Sequence, residues 1–112
     1  MSKRNEALYI KDILTAIKNI ESYTKGIPFK KFSYNQMIID AVIRNLEIIG
    51  EAAKNLSIEI KSSRPNIPWE DIIGMRNKIA HEYFGVDTEI IWETVQESLP
   101  ELKKAMKRIR RN

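Results

Sequence analysis

Apolar residues along this chain recur every three or four positions, and no stretch alternates apolar and polar side chains as a strand would. The pattern predicts an all-α fold, an antiparallel bundle of four main helices. The first runs from about Lys3 to Lys25, with Ile10, Ile13, Leu14, Ile17 and Ile20 on one face and Gly26 as its stop. The second is predicted to start at a capping box formed by Ser33 and Gln36, with Phe32 and Met37 as a hydrophobic staple, and to continue to about Lys61. It is apolar on two sides: Ile38, Ala41, Val42, Ile49 and Ala52 on one, Ile39, Ile43, Leu46 and Leu56 on the other. Such a helix belongs at the centre of a bundle.

Between those two sides runs a narrow polar stripe, Asp40, Arg44, Glu47, Glu51 and Lys54. It reads either as a solvent-facing line of ion pairs one turn apart or as the wall of a partner or active site. Gly50 suits a close approach of helices. Ser62 to Ile67 is a turn-rich connector, and Pro68 fits the first turn of a third helix that reaches about Tyr83 and stops at Gly85. Asp87 is a good N-cap for the fourth, with Val86 and Ile91 as a staple and Ile91, Val95, Leu99, Leu102, Met106 and Ile109 as its apolar line. Pro100 should kink or divide that helix, and the capping-box spacing of Ser98 and Glu101 favours a restart.

Composition narrows the class. With 112 residues, 43% hydrophobic and 30% charged, residues 1–112 form a single globular domain with one core. The absence of cysteine excludes disulfides and thiolate metal sites and fits a cytoplasmic location. A charged start leading into a helical pattern argues against a signal-peptide core or a membrane span. The net charge of +4 is a tail property: Lys103, Lys104, Lys107, Arg108, Arg110 and Arg111 follow Leu102 with no acidic residue among them. That run reads either as a phosphate contact or as a helix end that complements its own dipole.

The third helix holds the candidate chemistry. Arg76 falls in the middle of its apolar stripe, among Trp69, Ile72, Ile73, Met75, Ile79 and Ala80. A guanidinium there needs a carboxylate, a phosphate or an opening, because an unpaired interior charge costs several kcal/mol. Glu47 or Glu51 is a candidate ion-pair partner. Asn77 and His81 fall on the margin of the stripe, and Tyr83 returns close to Arg76. His81 is the only histidine, so a self-contained metal site is not expected, and zinc spacings, calcium loops and glycine-rich phosphate loops are absent.

The run Arg76-Asn77-Lys78-Ile79-Ala80-His81-Glu82-Tyr83 resembles the Arg-x4-His-x-Tyr motif of HepT toxins in the HEPN superfamily. Arg44 to Ala52 and Pro68 to Met75 resemble further segments of that family, so the similarity covers most of the chain. The resemblance implies a metal-independent endoribonuclease that acts on RNA as a homodimer without a cofactor, the toxin of a toxin–antitoxin module. It also implies a partner, an MNT-type nucleotidyltransferase antitoxin, which transfers AMP to the motif tyrosine, here Tyr83.

The residues suit that chemistry. RNA carries its own nucleophile, the 2′-OH, so a protein need only move protons and stabilise a charged phosphorus centre. His81 is then the general base or acid, Arg76 the clamp on phosphoryl oxygens and Asn77 an orienting donor, with Arg44, Glu47 and Glu51 as supporting residues. Arg76 and His81 stand roughly 140° apart on an ideal helix, which a second copy facing the first across a dimer axis would reconcile. Two other readings stay open: a non-catalytic HEPN dimer that docks or is modified by a nucleotidyltransferase, and a plain helical interaction protein with a buried polar network.

Overall fold

The computed structural model describes residues 3–81 and 87–111, with side chains for 5–75 and 87–110. The chain folds into α1 (Lys3–Thr24), α2 (Phe29–Ser33), α3 (Gln36–Lys54), α4 (Ile58–Ser62), α5 (Trp69–His81), α6 (Thr88–Glu93) and α7 (Leu99–Arg111), with one π-helical turn, Thr94–Ser98, joining the last two. Among the described residues there is no strand, as the periodicity predicts.

Helix α3 lies at the centre. Both α1 and α5 pack along it, α7 packs on α1, and α2 bridges α3 and α6. Its buried positions include Ile39, Val42, Ile43, Leu46, Ile49 and Ala52, drawn from both of the apolar sides that the sequence predicts. They share one core with Ile13, Ile17 and Ile20 of α1 and Leu102 and Met106 of α7, each less than 2% exposed. Gly26 ends α1 with a φ of +73°, a backbone shape that glycine adopts without steric cost, and Ile27 N–H closes the turn on the Thr24 carbonyl at 3.1 Å.

The expected second helix is corrected at both ends. Its N-cap is Asn35, not Ser33: the Asn35 side chain accepts from Ile38 N–H at 3.1 Å, whereas the Ser33 hydroxyl donates to the Lys30 carbonyl at 2.9 Å within α2. The Phe32–Met37 staple does not form. Phe32 is fully buried with its ring 4.9 Å from that of Trp92, while Met37 is 81% exposed. The helix also stops at Lys54 instead of continuing to Lys61. Asn55 closes it by donating its side-chain amide to the Glu51 carbonyl at 2.9 Å, and Ser57 then caps α4 by accepting from Ile60 N–H at 3.2 Å.

The expected third helix begins one residue later than predicted. Pro68 offers its carbonyl to Ile72 N–H at 3.0 Å and so precedes the first helical residue. The proposed end at Tyr83 and Gly85, and the Val86 half of the second staple, lie outside the described residues.

Asp87 caps α6 as expected, its carboxylate accepting from Glu89 N–H at 2.8 Å. Pro100 divides the last helix through a change of pitch. Glu93, Thr94 and Leu99 all keep right-handed helical dihedrals, so the backbone does not break, and Ser98 lies within the π turn instead of starting a new helix. The wider turn accommodates a proline ring that an α-helical turn would press against the carbonyl four residues back. Replacing Asn35 by alanine should therefore cost about 1 kcal/mol in urea denaturation, the usual value of an N-cap, and Ser33→Ala should cost clearly less.

Candidate active site

Helix α5 carries the motif, and its direction follows from the connector before it. Between Lys54 and Trp69 the backbone–backbone bonds are local, among them Arg64 N–H to the Lys61 carbonyl (3.3 Å), Ile67 N–H to Arg64 (3.1 Å) and Trp69 N–H to Ile67 (2.8 Å). The Trp69 indole adds a bond to the Arg64 carbonyl at 3.1 Å. A connector folded on itself in this way does not travel the length of α3. Helix α5 thus starts where α3 ends and runs back along it, antiparallel.

Ile72 and Met75 are buried and Trp69 and Ile73 half-buried, which matches the first half of the predicted apolar stripe. Arg76 and Asn77 follow on the same continuous helix, and His81 is its last residue. The side chains of Arg76, Asn77 and His81 and the whole of Tyr83 lie outside the described residues, as does any ion pair from Arg76 to Glu47 or Glu51. The structure thus puts the Arg-x4-His spacing on the C-terminal half of α5.

The polar stripe of α3 is more than a solvent face. Asp40, Arg44, Glu51 and Lys54 are exposed and Glu47 is half-buried. Arg44, Glu47 and Glu51, with Ile48 and Ala52, form one wall of a groove of about 320 Å³ whose other wall is Tyr9 and Asp12 of α1. Three carboxylates against one guanidinium make this groove a poor place for a phosphate. The sequence does not single out Tyr9 and Asp12, since the polar face of α1 reads as ordinary surface until α3 is laid beside it.

Two long-range polar contacts fix that alignment. Asn45, only 6% exposed, accepts from the Asn19 amide at 3.2 Å and donates to the Ala41 carbonyl at 2.9 Å. At the opposite end of α1, the Glu6 carboxylate accepts from Ser57 N–H at 3.0 Å. From residue 6 to 19 and from 57 back to 45 the chain covers nearly equal lengths, so the two helices are antiparallel and in register.

The basic run of α7 is partly committed within the fold. Lys103 pairs with Glu21 of α1 at 2.9 Å, and Lys104 approaches Glu101 at 3.9 Å. Lys104 and Arg108 join Arg64 and Asn66 along a cleft of about 430 Å³. Among the described residues no three His, Cys, Asp or Glu side chains are gathered to hold a metal, and no helix is long and apolar enough to cross a membrane.

A family profile described as "Ribonuclease HepT-like" matches residues 13–109, which spans the bundle from α1 to α7 and includes the whole Arg76–Tyr83 run. The chain belongs to the HepT-like ribonuclease family. It is 44% identical over 109 residues to a protein of Thermococcus cleftensis named a "probable ribonuclease HepT", covering 97% of this chain and 99% of that one. A "putative RNase" of Methanocaldococcus jannaschii is 41% identical over 104 residues, or 93% and 95% of the two chains. Another, from Caldanaerobacter subterraneus subsp. tengcongensis, is 45% identical over 101 residues and 90% of each. No solved structure matches the chain. HepT-like membership and the all-helical bundle thus agree with the resemblance carried by the motif.

Because Arg44 is exposed and Asn45 is buried in the α1–α3 seam, neighbouring substitutions should separate surface from scaffold. Arg44→Ala should leave the unfolding free energy within about 0.5 kcal/mol. Asn45→Leu, which strands the Asn19 amide, should lower it by about 1–3 kcal/mol in the same urea titration.

Proposed function

We propose that this chain is a metal-independent endoribonuclease, the toxin of a HEPN/MNT toxin–antitoxin module, that it acts as a homodimer, and that its antitoxin silences it by transferring AMP to Tyr83. One observation carries the reading: in a member of the HepT-like family, α5 is continuous from Trp69 to His81, so Arg76, Asn77 and His81 share one rigid element.

The reaction needs little beyond those groups. A base withdraws the proton of a ribose 2′-OH, the 2′-oxygen bonds to the adjacent phosphorus, and the bond from phosphorus to the 5′-oxygen breaks as an acid protonates that oxygen. The products are a 2′,3′-cyclic phosphate and a 5′-hydroxyl. His81 serves as base or acid, Arg76 holds the non-bridging oxygens as charge builds on them, and Asn77 orients the phosphate. A single histidine cannot take both proton-transfer roles at once, and a second copy supplies the other imidazole. Arg44, Glu47 and Glu51 of α3 enter as supporting residues on the helix against which α5 packs.

Silencing follows from chemistry at the neighbouring tyrosine. The Tyr83 oxygen attacks the α-phosphorus of ATP bound by the nucleotidyltransferase, pyrophosphate leaves, and the phenol proton passes to solvent. An AMP group two residues from His81 adds bulk and negative charge where an RNA phosphate has to approach.

Purified protein incubated with RNA in EDTA should cut it and leave 2′,3′-cyclic phosphate ends, and His81→Ala should lose at least a hundredfold in rate, the usual scale of removing a general acid or base. Equal cleavage by the mutant, or no EDTA-resistant cleavage by the wild type, would sink the nuclease reading in favour of a non-catalytic docking partner. With the nucleotidyltransferase and ATP, intact-mass spectrometry should record a gain of AMP units that Tyr83→Phe abolishes. An unchanged wild-type mass would remove the modification from the scheme.

A further inference from the structure

From Ser22 to Ile39 the chain contains Lys25, Lys30 and Lys31 and no acidic residue. The structure gathers part of this stretch into an open cleft of about 650 Å³ lined by Lys30, Lys31, Tyr34, Asn35 and Gln36. Two large side chains lie bare there: Tyr34 is 86% exposed and Met37, one turn on, 81%.

The platform beneath them is rigid although α2 is short. Phe29 and Phe32 hold it to Trp92, with ring centroids 5.9 and 4.9 Å apart. With Phe29 and Phe32 turned inward, Lys30 and Lys31 are left exposed. The turn that presents Tyr34 is closed by Tyr34 N–H on the Lys31 carbonyl at 3.3 Å and by Asn35 N–H on that of Phe32 at 3.1 Å. The nearest following acid, Asp40, accepts from the Gln36 amide at 2.8 Å, which draws its charge into the helix surface.

We infer that the Lys30–Lys31–Tyr34 surface is a binding subsite for single-stranded RNA, with a base stacked on Tyr34 and flanking phosphates on the two lysines. The inference rests on the reading of the chain as an RNA-cleaving protein. A stretch whose charged residues are all lysines suits an anion, and lysine is depleted from the centres of protein interfaces. An exposed phenol ring on a hydrogen-bonded turn adds the means to stack on a base, and only an unpaired base offers its face. Placement agrees. Helix α2 adjoins the N-terminus of α3, and α5 runs back along α3 toward that same end, so Tyr34 and the C-terminus of α5 both lie toward one end of α3.

Fluorescence anisotropy with a labelled single-stranded oligoribonucleotide tests this, using His81→Ala as background so that bound strand is not cut. Adding Tyr34→Ala should weaken binding about tenfold, the order expected when one base–aromatic stack is removed, and Tyr34→Phe should retain it. Lys30→Ala with Lys31→Ala should flatten the slope of log affinity against log salt by about 1.4, or 0.7 for each phosphate no longer neutralised. Lys30, Lys31 and Tyr34 are all exposed, so these variants should keep the circular dichroism of the parent. Affinities and salt slopes equal to the parent's would overturn the subsite. So would a changed oligomeric state in light scattering with RNA binding intact, which would assign the surface to a protein contact. The two readings fail separately. Wild-type protein that binds through Tyr34 yet leaves RNA whole would retire the nuclease and keep the subsite. Cleavage and binding unaffected by Tyr34→Ala would do the reverse.

Discussion

Helix α3 has apolar side chains on two sides, and the other elements are arranged to cover them. Water next to Val42, Leu46 and Ile49 is avoided only if α1 and α5 both lie along the same nineteen-residue rod. Beyond its first turn, that demand leaves the narrow polar stripe as the exposed side of the rod. It also brings α5 beside α3 for much of its length, so the element with the Arg-x4-His spacing is seated by packing on the central helix rather than carried on a loop.

Packing alone does not set how far one helix slides along another. Here that degree of freedom is removed by polar contacts at opposite ends of one seam, Asn19 with Asn45 and Glu6 with Ser57. Hydrogen bonds to buried or half-buried groups discriminate sharply between registers, because a slip of one turn leaves a donor or acceptor without a partner. The groove between Tyr9, Asp12 and the Arg44–Glu47–Glu51 wall inherits its shape from that choice.

Much of the fold is readable from the residues alone, and what is not shares one cause. Gly26, Asp87 and Pro100 act on the backbone next to them, and each does in the structure what its residue type predicts. Ser33 and Asn35 are both competent caps. The choice between them depends on Phe29 and Phe32 finding Trp92, a contact far along the chain that no local pattern announces. The end of α3 at Lys54 is hidden in the same way: Asn55 and Ser57 read as tolerable helix residues until Glu6, from the start of α1, takes the Ser57 N–H. For the candidate site, the Arg76–His81 spacing and its helix are legible. Tyr9 and Asp12 are not, since a groove wall on one helix is defined only by the helix opposite.

The π turn before Pro100 governs more than the fit of a proline ring. Ile91, Val95 and Leu99 are separated by two successive steps of four, and on a uniform α-helix such steps drift around the axis by about 80°. All three are nonetheless buried, and Leu102 and Met106 continue their line. The wide turn absorbs one surplus residue and resets the phase of everything after it. The direction in which α7 displays its lysines and arginines is therefore decided between Thr94 and Ser98. Tightening those five residues to ordinary α pitch would swing the positive face around by roughly 100° while leaving its composition untouched, whereas deleting one of them would keep it in place.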